Sequence, residues 1–141
     1  MPSGVPSMDF TLPAVTGLGF LEALTDQQIL DNADPNDSDG DGISGVPNYI
    51  NPPSYFIPKP FHQPVGGQYI GRFGKKAKEI TLLDQVVFAL KQDMGLTSDF
   101  DTEDLINYEI AIGATDGVPE PEVGSNVVDH LVFYMRTLKT P

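Results

Sequence analysis

The densest set of chemical groups in the chain is residues 34–45, DPNDSDGDGISG. Asp37, Asp39 and Asp41 alternate, and Gly42 follows. This spacing matches the first half of a calcium loop, with carboxylates at the first, third and fifth positions and glycine at the sharp turn. Alternation lets every second side chain converge on one ion while the backbone wraps around it. The Ile43 carbonyl then stands where the next ligand belongs. Asn48 occupies the place of the closing bidentate Glu, so the remaining ligands must come from nearby, with Asp34 and Asn36 as candidates. Calcium–oxygen distances of about 2.3–2.6 Å are expected at such a site. The bland alternative is a solvated turn, because Asp, Asn, Ser and Gly are turn residues. Close-set carboxylates repel each other, however, and a divalent cation relieves that cost.

Four further side chains have the right type to ligate haem iron: His62, His130, Met94 and Met135. Met94 and Met135 also fall on helical apolar faces, where core packing is the simpler explanation. His130 follows Asp129 and suits a polar face. The two histidines are too far apart in sequence to form a metal motif, and no GxSxG elbow is present. The chain has no cysteine, which removes disulfides, thiolate metal sites, Cys nucleophiles and covalent c-type haem attachment within these residues.

Arg72, Lys75, Lys76 and Lys78 supply four of the eight positive charges within one short stretch. Gly71 and Gly74 flank Arg72-Phe73, as in a tight turn that presents the arginine. In an acidic chain this island invites a carboxylate partner: haem propionates, the acidic loop or a neighbouring domain. The alternative is a solvated loop before a helix. It is not a phosphate loop, since the strand context and the GKS/T ending are missing.

The elements that must position these groups belong to a chain of 141 residues, the size of one domain. With 8 basic and 20 acidic residues its formal charge is −12, which excludes nucleic acid and anionic lipid as natural partners. No apolar run approaches the length of a membrane span. The start, MPSGVPSMDF, lacks a signal-peptide pattern, which predicts either a cytosolic protein or a beginning inside a longer chain.

A single domain, 1–141, is expected, built mainly of helices joined by long ordered Pro/Gly-rich loops. Residues 1–16 read as extended, and 17–33 as short helices. Thr25 and Gln28 form a capping box there, Leu24 and Ile29 form a staple, and the second helix runs from Asp26 to about Ala33. The acidic cation loop spans 34–45. An irregular loop, 46–80, carries six prolines with aromatics between them, so it should be ordered and packed. Thr81 caps a helix over 81–95 that ends at Gly95, with an apolar face of Leu82, Leu83, Val86, Val87, Leu90 and Met94. Residues 96–124 form a second acidic loop, with a helical turn or two in DTEDLINYEIAI. A last helix, 125–139, has Val127, Leu131, Tyr134, Met135 and Leu138 as its apolar face. No period-two strand is evident.

Five blocks, in order, resemble the bacterial di-haem oxidoreductase family, whose members are also described as thiol oxidoreductases or cytochrome-c-peroxidase-like. They are GLGFLEAL, the DSDGDGISG loop, GRFGKKA, a helix ending DMGLT, and a helix ending FYMRTL. The resemblance covers roughly residues 14–139. It implies cytochrome-c-like helices, an oxidoreductase of peroxidase type, and a periplasmic or exported location. Family members carry CxxCH haem motifs on both sides of this region, and neither is present here. The implied role is therefore a central segment, packing beside a c-type haem supplied by neighbouring sequence or by a cytochrome subunit. Arg72 would meet a haem propionate, and Met94 or His130 would be the axial-ligand candidates. Lys75 stands where the family usually has Trp. The competing expectation is a haem-less, calcium-stabilised interaction module or accessory subunit.

Overall fold

The computed structural model describes residues 15–104 and 117–139. The expected extended start and the helical turns of DTEDLINYEIAI fall largely outside them. Four helices occupy about a third of the described residues: α1 (Leu18–Ala23), α2 (Asp26–Leu30), α3 (Leu82–Met94) and α4 (Ser125–Thr137). A short antiparallel pair, β1 (Tyr49–Ile50) and β2 (Tyr69–Ile70), adds a strand element that periodicity did not reveal. Two residues per strand are too few to show a period of two.

Capping chemistry starts the helices where the sequence places it. Thr25 accepts from the Gln28 amide, and Gln28 returns the bond to the Thr25 amide at 2.9 Å. The regular helix ends at Leu30, three residues earlier than expected, but tighter turns carry the chain on: the Asn32 amide donates to Ile29 and the Ala33 amide to Leu30. Thr81 and Asp84 form a second capping box at the head of α3. Gly95 ends that helix in the left-handed region, φ 72°, where a side chain would be strained. The first amide of α4 is capped from a distance, by Asp99 Oδ2 at 2.5 Å from Ser125 N.

Helices α1, α3 and α4 pack on one another around Leu82, Val86, Val87, Leu90, Val128 and Val132, with Phe73 entering from the loop. The α3 face is as expected except at its end, where Met94 is 65% exposed. The α4 face is rotated from the expected one. Val128 and Val132 are buried, with Met135 packed against the core, whereas Val127, Leu131 and Tyr134 face outward. Two apolar stripes run along α4, and contact with α3 and α1 decides which one is covered.

The Pro-rich loop is ordered by its aromatics. Phe56 stacks near Tyr69 at 4.7 Å, and Tyr55 meets Phe100 edge-on at 5.5 Å. Inside α1, Glu22 is a buried charge that ties three elements together. It accepts from Arg136 Nε of α4 at 2.6 Å and from the Leu82 amide of α3 at 3.3 Å, with Lys59 at 3.9 Å. Burial pushes its carboxyl upward, but Arg136, Lys59 and the Leu82 amide outweigh burial and hold it below the usual 4.5. From this packing, Leu90→Ala should cost about 2–5 kcal/mol in chemical denaturation, as for a filled core site. Met94→Ala should stay within about 0.5 kcal/mol of the parent. Equal losses at both positions would contradict the observed phase of α3.

Candidate functional site

Two places on the molecule gather side chains that the sequence singles out. The first is the acidic loop. One carboxylate oxygen from each of Asp34, Asp37 and Asp39 lies within 4.8 Å of the other two. The backbone makes this convergence. Asp37 sits at φ 48°, an uncommon region for a side-chain-bearing residue, and Gly42 at φ 85° allows the sharp return. The Gly42 amide donates to Asp37 Oδ1 at 3.1 Å. The Ser38 amide and hydroxyl bond to Asp34 and hold its carboxyl below the usual 3.8. Asp41, an expected ligand, is not in the group; its Oδ1 accepts from the Ile43 amide at 2.8 Å. Asp34, expected only as a supplement, takes its place. The two ends of the loop are zipped by paired bonds between Asp34 and Gly45, which brings Asp34 inward.

The second place is a groove between α3 and α4, lined by Val15, Val86, Leu90, Met94, Leu131 and Met135. Its volume is about 380 Å³. The groove exists because Met94 and Leu131 lie at the margin of the core and no described element covers them. Soft thioethers and aliphatic carbon suit the apolar face of a macrocycle, so the residues present fit packing beside a haem. The histidines are placed less suggestively. His62 is half-buried among Phe56, Phe61 and Tyr69, and its Nδ1 accepts from the Lys59 amide at 3.0 Å. Burial pushes its pKa below the usual 6.5. His130 is exposed on α4, away from the groove's lining.

Arg72 does not present its charge outward. Its side chain is 1% exposed, as is that of Asp26, and the two form an ion pair. The guanidinium also donates to the Leu24 carbonyl and stacks over the Phe61 ring at 5.5 Å. A buried charge must be paired, and Asp26 is the acid that the fold delivers. Within the guanidinium, Nε has no hydrogen-bond partner among the described residues. Lys75, Lys76 and Lys78 remain exposed, so the outward part of the basic island is lysine. Gly71 allows the tight strand here: a Cβ would overlap the Ala77 carbonyl.

The sequence model described as “di-haem oxidoreductase, putative peroxidase” matches residues 8–141. The chain belongs to the di-haem oxidoreductase family. Searches of curated proteins and of solved structures return no match. The family match spans both the acidic loop and the methionine-lined groove. No helix among the described residues is long and apolar enough to cross a membrane.

The inward Arg72 makes a testable pair. Asp26→Ala should cost about 3–5 kcal/mol, because it strands a buried guanidinium. Replacing both partners with apolar side chains of similar volume should recover most of that loss. A double-mutant cycle in urea measures it, and additive losses would show the pair to be uncoupled.

Proposed function

We propose that this chain is the central part of a periplasmic or exported di-haem, peroxidase-like oxidoreductase. In this reading it forms a cytochrome-c-like wall beside a c-type haem that neighbouring sequence or a cytochrome subunit supplies. The observation that carries the reading is the open groove with Met94 and Met135 on its wall, in a chain of this family. The haem, when bound by its own attachment motif, would supply the electron transfer. The residues of this chain would exclude water from one face and offer a thioether. Arg72, with its side chain 1% exposed and its guanidinium on Asp26 and Leu24, would stiffen the wall from inside and not meet a propionate itself. The exposed lysines nearby are better placed to meet carboxylates at an interface.

In the same reading the loop over 34–43 binds calcium through Asp34, Asp37 and Asp39, which stiffens the segment between α2 and the Pro-rich loop. The convergence of three carboxylates also favours a second reading, in which the chain is a haem-less calcium-stabilised interaction module. The two differ in what covers the groove.

Co-expression with the flanking CxxCH segments separates them. A Soret band that shifts on Met94→Ala or Met135→Ala supports the haem wall. A spectrum and midpoint potential indifferent to both substitutions leaves the module reading. Calcium is tested independently by thermal unfolding. At a hundred times Kd, a bound ion adds about 2.7 kcal/mol to stability. Melting temperature should rise with millimolar calcium in the parent and in Asp41→Ala, but not in Asp39→Ala. A melting curve unchanged between calcium and chelator would sink the calcium assignment.

A further inference from the structure

The chain sets 8 basic side chains among 20 acidic ones, so every cation has acids to choose from. Lys59, Arg72, Lys91 and Arg136 each take one. Lys75, Lys76 and Lys78 take none among the described residues. All three are exposed, and together with Phe88 of α3 they line one hollow of about 380 Å³. Glu79 and Asp93 also border that hollow, and neither forms an ion pair with these lysines. Unpaired cations gathered at one spot in so acidic a chain point to acids that come from outside it.

The backbone holds the lysines out on a braced turn. Its base is anchored in the core by Phe73, 1% exposed, which pairs with Glu79 across the stem. The Ala77 amide donates to the Gly74 carbonyl at 3.3 Å, which makes Lys75 and Lys76 the two corner residues. Ala77 sits at φ 46°, an uncommon region for a residue with a side chain. A side chain from before β1 keeps it there: Asn48 Nδ2 donates to the Lys76 carbonyl at 3.2 Å and to the Ala77 carbonyl at 2.9 Å. The turn is thus closed by Asn48 and the backbone, and no lysine is spent on closing it. Local strain held in place by a distant side chain is a mark of a presented site.

Charge and reach define the occupant. A nucleic acid or an anionic vesicle extends past the hollow and meets the rest of a −12 surface, which repels it. A short acidic segment does not. At physiological salt, charges beyond about 8 Å are screened, so such a segment feels the lysines that it touches and little else. Phe88, 45% exposed beside them, gives one apolar side chain a seat. We propose that the turn over 74–78 and Phe88 form a docking site for an acidic segment of a partner protein. Its carboxylates meet Lys75, Lys76 and Lys78, and one apolar side chain packs on Phe88. The proposal uses neither the haem wall nor the calcium loop, and it stands if either of those readings fails.

Backbone-amide NMR of the full chain in about 0.15 M salt tests the site. The probe is a capped peptide with a phenylalanine between two pairs of glutamates. Saturable shifts are expected over 74–78 and at Phe88. Lys75→Glu should weaken binding about fivefold or more, because it turns one attraction into a repulsion. Lys139→Glu makes the same change of net charge at another exposed lysine and should leave affinity unchanged. Asn48→Ala keeps every lysine but frees the turn, so binding should weaken about threefold through lost preorganisation. The same peptide with alanine at its centre should bind more weakly than the phenylalanine form. The proposal is overturned if the peptide does not bind at millimolar concentration, or if Lys139→Glu costs as much as Lys75→Glu. Parent-like affinity in Asn48→Ala overturns it too. Self-association of the parent that Lys75→Glu abolishes would replace the partner with a second copy of this chain. Tighter binding of tripolyphosphate than of the peptide would replace it with a simple anion.

Discussion

The buried pair of Asp26 and Arg72 is the constraint on which the middle of the molecule depends. Between these two residues lie the acidic loop and all six prolines of the Pro-rich loop, with no helix of their own. Asp26 gathers that excursion. One carboxylate oxygen takes the Arg72 guanidinium, and the other accepts from the Gln63 amide at 2.6 Å. The Asp26 amide in turn donates to the Phe61 carbonyl at 3.4 Å. Both charges are shielded from water, so neither partner has a cheap alternative. The β1–β2 pair then fixes the loop's ends, Tyr49 against Ile70, and hands the chain to Phe73 and the head of α3.

Local chemistry made much of this legible before any fold was known. Thr25 with Gln28, Thr81 and Gly95 mark boundaries because capping depends only on neighbours in sequence. The phase of α4 was not legible, because Val127 and Leu131 are as apolar as Val128 and Val132. The choice between the stripes is made by α3 and α1, through contacts that a one-dimensional pattern does not contain. The strand pair was hidden for a related reason: it joins Tyr49 to Ile70 and Ile50 to Tyr69, distant in sequence, through only two residues a side.

The same division governs the sites. The acidic loop is sequence-local, so its carboxylates could be read from their spacing. The exchange of Asp41 for Asp34 follows from the zipper between Asp34 and Gly45, a non-neighbour contact. Four cations in one short stretch point to a partner for Arg72 outside the domain, but the structure turns it inward. Its acid partner lies 46 positions away, and no spacing rule reaches that far. Glu79 and Asp84 carried one available signal, an acid within and just before a capping motif. What sets them apart is burial.

Burial gives the chain's acids two opposite pH signatures. Glu22 is paired, and its folded pKa is depressed. Its contribution is present above the ordinary Glu value and is lost as pH falls through the folded value. Glu79 and Asp84 are raised. They favour the folded state below their ordinary values, and that advantage is lost as pH rises through their folded ones. Acid therefore loosens the junction of α1, α3 and α4 at Glu22 while it eases the burial of Glu79 and Asp84. The difference lies in what each fold position supplies: Arg136 and Lys59 reach Glu22, whereas Lys91 is committed to Asp101. A fold that balances one buried acid with two cations and leaves two others with unpaired oxygens therefore answers acid in opposite senses at Glu22 and at Glu79 with Asp84.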